Sequence, residues 1–403
     1  MDFKILIIGT DINAYTMARC AYELYGQKVD LIGKSEMKFT SLSTITNIMY
    51  EPHLWDTEVF KKTLQDYAEK QNGKKILLIA TNDFYVRLIA ENEEYLKQWY
   101  VFNYPPLQTT LAFLDKSSFY DAFYDVLSIP KTFIYSCKEK KLPEEEFMYP
   151  LIIKPGDGVS YYKHKFEGQS KVYRVQDAEQ LLDIIKQIEA SGYEETLILQ
   201  EFIPGDDTYL ADCMFYVNSK GKAELATFAQ IGLQEHTHTG IGNCTVLVNG
   251  YNDHGIDDTL IYALKDFLES QNYKGFAEFD LKYDARDHTY KVFEINPRQA
   301  RCSYYFATST KNLIQCLVED LIEGKEHPFT ISKNKQVLSF VPKNVIYKYV
   351  ANENLKKEIR KLVKQKKFVN PLKCKQDKSF KRKLYMFLRD VNYMKKYRKD
   401  NWW

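Results

Sequence analysis

Hydrophobic positions in the first hundred residues fall into short continuous runs separated by longer amphipathic stretches. Lys4-Ile-Leu-Ile-Ile8 and Lys75-Ile-Leu-Leu-Ile-Ala80 are uninterrupted apolar runs, the pattern of strands buried on both faces. A helix from about Ala14 to Tyr25 and the strand Val29-Asp-Leu-Ile32 fall between them. This βαβ order predicts a parallel sheet with helices on its faces over residues 1–105. The chain breaks at Tyr104-Pro-Pro106, and a second pattern begins. It holds a helix over about Lys116 to Val126, an extended piece Ile129 to Ile134 and the strand Tyr149-Pro-Leu-Ile-Ile-Lys154. A polar, glycine-bearing loop over 155–168 follows, then a helix near Ala178 to Ala190 and the strand Thr196 to Gln200. Glu201-Phe-Ile-Pro-Gly-Asp-Asp207 reads as a hinge before strands over 209–217 and 223–230. A helix from about Asp257 to Gln271 leads into two strands, Gly275 to Asp280 and Tyr290 to Phe293, and a helix over about 312–323 closes this body. No internal repeat is present.

Composition fits a globular protein, with 403 residues, 45% hydrophobic and 27% charged. No run of 18 uncharged apolar residues predicts a membrane-spanning helix. The N-terminal strand starts at once, without a basic lead, so the expected location is the cytoplasm. The seven cysteines form no Cys-x-x-Cys pair, which suits reduced thiols. His236, His238 and Cys244 match no common structural zinc spacing. The net charge of +2 hides an asymmetry: residues 331–403 hold 22 Lys plus Arg against 5 Asp plus Glu, leaving 34 against 49 in the first 330.

The candidate chemistry centres on Glu294-Ile-Asn-Pro-Arg298. A hairpin through the polar turn 283–289 brings Asp280 beside Glu294, and alternation puts Asn296 on the same face. Carboxylates in a hairpin are most often a solvated turn. Two of them converging with an amide oxygen also make a hard, all-oxygen site suited to Mg²⁺ carrying nucleotide phosphates. Glu278, two residues before Asp280, shares that face and is the alternative first ligand. Arg298 adds a fixed cation where a phosphoryl group would move. Lys154-Pro-Gly-Asp-Gly158 places a lysine at a strand end before a loop whose glycines, Gly156 and Gly158, let backbone N–H groups approach oxyanions. Lys163 and Lys165 add cations to that loop, which has no Gly-Lys-Ser/Thr and is not a P-loop. The turn Gly9-Thr-Asp-Ile-Asn-Ala14 lacks the later glycines of a dinucleotide fingerprint, which argues against hydride chemistry. Asp11, Asn13, Asn82 and Asp83, at strand ends, are weaker candidates for a cleft.

Taken in order from about Pro106 to Glu323, these parts resemble the ATP-grasp superfamily, whose two lobes clamp ATP. The resemblance implies an α/β fold in four parts: a pre-ATP-grasp βαβ domain (1–105), a first lobe with the phosphate-covering loop (106–195), a second lobe with the metal site (196–330) and a basic, mainly helical C-terminal extension (331–403). It implies ATP and Mg²⁺ as cofactors. Lys116 and Lys154 would bind phosphates, Gln200, Glu201 and Ile203 would face adenine, and Asp207 would face ribose. Asp280, Glu294 and Asn296 would hold metal, with Arg298 beside them. It further implies an acyl phosphate made from a carboxylate and ATP, then attacked by an amine to give an amide, ADP and phosphate.

Phe279 to Asp287, with Phe293-Glu-Ile-Asn-Pro-Arg-Gln-Ala-Arg-Cys-Ser-Tyr-Tyr305, is similar to the D-aspartate ligase branch. That implies β-carboxyl transfer of D-aspartate to the lysine side chain of a peptidoglycan precursor, a UDP-linked muropeptide. Ala300 and Cys302 stand where that branch often has glycine and serine. Arg301 and the loop 234–242, with His236 and His238, are the expected amino-acid contacts. A non-catalytic ATP-binding scaffold is the second class of function.

The basic tail interleaves lysines with Phe380, Tyr385, Phe387, Tyr393, Tyr397, Trp402 and Trp403. Four readings fit it: a helical appendage packed on the acidic body, an anionic membrane surface, a grip on a nucleotide-sugar substrate and, least favoured, nucleic acid.

Overall fold

The computed structural model describes residues 2–143, 147–236, 240–255 and 258–399. His238, Trp402 and Trp403 lie outside them. The first domain is a five-stranded parallel sheet of β1 (Phe3–Ile8), β2 (Val29–Gly33), β3 (Thr46–Tyr50), β4 (Lys75–Ala80) and β5 (Tyr100–Val101). Their spatial order is β3-β2-β1-β4-β5. The apolar runs of β1 and β4 lie side by side at its centre, where helices on both faces cover them. The first helix, Ile12–Tyr25, starts where Asp11 caps the Ala14 N–H at 2.9 Å.

A four-stranded antiparallel sheet follows: β6 (Thr132–Ser136), β7 (Leu151–Pro155), β8 (Tyr173–Val175) and β9 (Thr196–Glu201), in the order β6-β9-β7-β8. The helix Ala178–Ala190 buries Leu181, Ile185 and Ile188 against it, an i, i+4, i+7 stripe.

The third sheet is the largest. β10 (Leu210–Val217), β11 (Ala223–Gln234), β12 (Cys244–Asn249), β13 (Gly275–Asp284), β14 (Thr289–Asn296), β15 (Thr330–Ser332), β16 (Gln336–Ser339) and β17 (Phe368–Val369) make it up. The order is β14-β13-β10-β11-β12-β16-β17, with β15 parallel to β11. The first domain is docked at the start of β13. Gly275 has φ +90°, and a Cβ there would lie 2.2 Å from the Asn103 carbonyl oxygen, so only glycine fits this junction. Asn103 in turn donates to the Val217 carbonyl at 2.9 Å.

Residues 331–399 are mainly helical, with helices Lys343–Tyr349, Glu353–Lys364 and Phe380–Lys399. They do not form a separate appendage, because β16 and β17 extend the third sheet. The helix Glu353–Lys364 starts where Asn352 caps the N–H groups of Asn354 and Leu355. It buries Leu355, Ile359 and Leu362 in one cluster with Val246, Val248 and Val337. Each such side chain contributes roughly 1.5–3 kcal/mol by leaving water. All seven cysteines are free and buried, and among the described residues no helix is long and apolar enough to cross a membrane.

The tail therefore behaves as core. Deleting residues 341–403 is expected to abolish soluble folded protein, read by expression and circular dichroism. Ile359→Ala should cost about 2–5 kcal/mol in urea unfolding.

Candidate active site

The strand register assembles a row of acids. In β13 and β14 Asp280 lies opposite Glu294, and Glu278 opposite Asn296, while on the other side of β13 Asp212 of β10 lies opposite Asp280. Positions two apart share a face, so all five polar side chains emerge on one side of the sheet. The register slips directly after Asp280: Leu281 opposes Val292, leaving Phe293 as an extra residue. This bulge frees the Phe293 carbonyl, which accepts from the Tyr120 hydroxyl at 2.7 Å.

Tyr120 belongs to the helix Lys116–Phe123, which begins where Asp115 caps the Ser118 N–H at 2.7 Å. One turn earlier on the same face, Lys116 donates to Glu294 Oε2 at 2.7 Å. Lys154, next to last in β7, donates to Gln200 Oε1 at 2.8 Å and lies 5.2 Å from the centre of the Phe293 ring. Lys116 and Glu294 keep 28% and 41% of their side-chain surface open, so the cleft surrounds these groups while leaving them reachable.

The charges in this cleft do not balance. For Glu294, loss of solvation is outweighed by Lys116, Lys171 and Lys154, which bring its carboxyl down to about 2. Lys116 is raised, because Glu294 more than offsets its own desolvation. Lys154 has a neutral amide for its partner; desolvation and the neighbouring Lys116 bring it down to about 7. Asp280 is pushed up to about 8 by desolvation and by Glu294 and Asp212. The cleft thus holds an uncompensated cation beside crowded carboxylates. An anion on one side and a divalent cation on the other would relieve both.

The first domain reaches this site through Asp83. Arg298 donates to its two carboxylate oxygens at 2.6 and 3.0 Å, and to Asn296 Oδ1 at 3.1 Å. Gln299 donates to the Ala80 carbonyl at the end of β4 at 2.6 Å. Asp83 is thus brought to the site. Asp11 and Asn82 serve as helix caps, and buried Asn13 donates to the Thr81 carbonyl.

The remaining sequence candidates take mixed positions. Gln200 binds Lys154, and Glu201 accepts from Arg286 at 2.8 Å and from the Lys131 N–H at 2.7 Å. The N–H of buried Ile203 has no hydrogen-bond partner among the described residues. Asp207 accepts from the Gln234 amide groups and from His236 Nε2, so its carboxylate is already occupied. A Cβ at Gly156 would lie 2.2 Å from Thr196 Oγ1, and its N–H donates to the Thr196 carbonyl, so that glycine serves packing. Gly158 opens a short helix with free space beside it, and Lys163 and Lys165 are exposed.

Glu278 lies deeper on the same face. It is 2% exposed, and Cys302 Sγ lies 2.8 Å from its Oε1 and 2.9 Å from Asp212 Oδ2. Tyr305 donates to Asp212 Oδ1 at 2.5 Å. Desolvation and Asp212 push the Glu278 carboxyl well up, so Asp280 rather than Glu278 faces Glu294 as an ionisable partner. Sequence reading missed Tyr120, Lys171 and Asp212. Tyr120 was legible as i+4 from Lys116, and Asp212 as the one acid in an apolar strand, Leu210-Ala-Asp-Cys-Met-Phe-Tyr-Val217. Lys171, donating to the Ile241 carbonyl at 3.2 Å while its charge acts on Glu294, carried no local signal.

No protein-family model matches the chain. A D-aspartate ligase from Enterococcus faecium (strain Aus0004) is 31% identical over 415 residues, spanning 99% of this chain and 96% of that protein. The chain belongs to the D-aspartate ligase family of the ATP-grasp superfamily. Its fold is similar to that of an L-amino acid ligase from Bacillus licheniformis (16% identity, TM-score 0.59, 80% of this chain and 77% of that one). It is also similar to N5-carboxyaminoimidazole synthetase from Staphylococcus aureus (14% identity, TM-score 0.58, 90% and 88%), which has been solved with ADP as well. The protein is an ATP-dependent carboxylate–amine ligase.

In this D-aspartate ligase family member the oxygen-rich set Asp280, Glu294 and Asn296 could hold the magnesium ion, and the crowding that raises Asp280 is what a bound cation would remove. Mg²⁺, when bound, supplies charge neutralisation on the phosphates. Lys116 and Lys154 could meet the triphosphate, and Arg298, locked by Asp83, offers a guanidinium that needs no reorganisation. Arg301 lies near the loop 234–242. It donates to Glu235 at 3.1 Å and to Tyr393 of the C-terminal helix at 3.2 Å, and its buried Nε has no hydrogen-bond partner among the described residues.

Two substitutions separate these parts. Glu294→Gln should lower turnover about a hundredfold or more with an almost unchanged melting curve, measured by phosphate release and calorimetry. Asp83→Asn should lower kcat about ten- to a hundredfold with little change in KM for ATP, because Arg298 loses its anchor rather than ATP its contacts.

Proposed function

We propose that this ligase joins the β-carboxyl of D-aspartate to the lysine side-chain amine of a peptidoglycan precursor, a UDP-linked muropeptide. The full-length likeness to an enterococcal D-aspartate ligase is the observation that carries this reading. Two arginines favour a dicarboxylic amino acid. Arg298 beside the acid row would face the reacting carboxyl, and Arg301, whose Nε has no partner among the described residues, would face the other. A carboxylate is a poor electrophile, since an attacking amine would have to expel oxide. Transfer of the γ-phosphoryl group to that carboxylate gives an acyl phosphate, whose leaving group is phosphate, and the amine then forms the amide.

In this proposal Lys116 and Lys154 bind phosphates, and the segment Gln200 to Ile203 takes adenine through the Ile203 N–H. Asp207 reaches ribose only by exchanging part of its bonding to Gln234 and His236. Asp280, Glu294 and Asn296 hold the metal, and the loop bearing Gly156 and Gly158 covers the phosphates. The lobes are assigned to 106–195 and 196–330 behind a domain at 1–105. The region 331–403 is assigned as a wall of the second lobe, at the inner face of an anionic membrane where such precursors are assembled.

The test is phosphate release from MgATP across a panel of D- and L-amino acids with a UDP-linked muropeptide ending in a free lysine amine. Release should require D-aspartate and acceptor together, with a product heavier by one aspartyl residue. Preference for another amino acid would replace the substrate while keeping the chemistry.

A further inference from the structure

The C-terminal helix Phe380–Lys399 is apolar on two opposite faces. One face is spent inside the protein: Met386, Tyr393 and Tyr397 are 4–6% exposed, and Arg382 and Arg389 reach the Leu372 and Phe340 carbonyls between them. The other face points outward. Phe380, Leu384, Phe387 and Leu388, at helical spacing, are 78%, 51%, 63% and 57% exposed. Four large apolar side chains in one continuous stripe are costly to leave in water unless something covers them.

Charge decides the occupant. Exposed Lys381 and Lys383 flank the stripe, exposed Lys395 extends it, and none has an ion pair among the described residues. Asp390, the one acidic residue between 380 and 399, is bonded to Lys373 at 2.5 Å. An apolar stripe bordered only by cations suits the boundary of an anionic bilayer, where rings and aliphatic chains enter the acyl region and ammonium groups meet headgroup phosphates. A second copy of the same face would bring two strongly basic segments together.

We propose that the outward face of this helix, with Phe380, Leu384, Phe387 and Leu388 inserted and Lys381 and Lys383 at the headgroups, docks the enzyme on an anionic membrane surface. This deepens the membrane placement in the proposed function and rests on it, but it is independent of which amino acid is ligated. The stripe lies on the exposed face of the helix, opposite Tyr393 and Tyr397, so docking there leaves turnover of soluble substrates untouched.

The full chain should co-sediment with vesicles of phosphatidylcholine mixed with phosphatidylglycerol, not with phosphatidylcholine alone, and added salt should weaken binding. The double substitution Phe380→Ser with Phe387→Ser should reduce vesicle affinity about tenfold or more, and so should Lys381→Glu with Lys383→Glu. Neither should alter phosphate release with soluble substrates, which separates a failure here from a failure of the ligase reading. Three results would overturn the proposal: no binding to the mixed vesicles, equal binding by the serine variant, or an oligomer without vesicles that the serine variant dissolves.

Discussion

Two lysines, one from the helix Lys116–Phe123 and one from β7, meeting a row of carboxylates on β13 and β14 is the constraint on which the rest depends. Lys116 finds a counter-ion in Glu294, Lys154 finds a neutral amide, and Asp280 is crowded by its own kind. Such an arrangement stores electrostatic cost that a fold built for stability alone would avoid, since a desolvated charge without a partner is destabilising. A phosphorylated ligand with a divalent cation supplies both missing signs at once. The surrounding elements serve to hold this imbalance open: the Asp115 cap sets where Lys116 leaves its helix, and the slip at Phe293 gives Tyr120 a carbonyl to grip. The first domain contributes one carboxylate, Asp83, which fixes Arg298 above Asn296.

Much of this was legible in the chain. The apolar runs at β1 and β4, the helix Ala178–Ala190 and the pairing of Asp280 with Glu294 all follow from local periodicity, and the structure places them as read. Local pattern fails where partners come from far away. β17 has two residues, and it is a strand because β16 stands beside it. Gly156 looks like a phosphate-loop glycine and is held by Thr196, forty residues on. Asp207 looks free in the hinge and is claimed by Gln234 and His236 across a turn. Lys171 arrives from the covering loop with no periodicity to announce it.

Cys302 shows how a departure from a family pattern can be absorbed. Its thiol sits between Asp212 and Glu278, where a smaller hydroxyl is common in the branch it resembles. The thiol contacts both acids, while loss of solvation and the neighbouring Asp212 raise the Glu278 carboxyl.

The basic tail is packed into the body of the protein. Tyr393 bonds both Glu235 and Arg301, Arg389 bonds Tyr393 at 3.2 Å, and Tyr397 donates to the Gln234 carbonyl. The loop that carries Gln234, Glu235 and His236 is therefore braced by the last helix, and Arg301 is held from the same side. Alternating cations and aromatic rings suit this double duty. Arginines and tyrosines on the inner face satisfy buried carbonyls and carboxylates, while lysines and phenylalanines on the outer face remain free. The last helix thus has one face against the wall that holds Arg301 and the opposite face exposed.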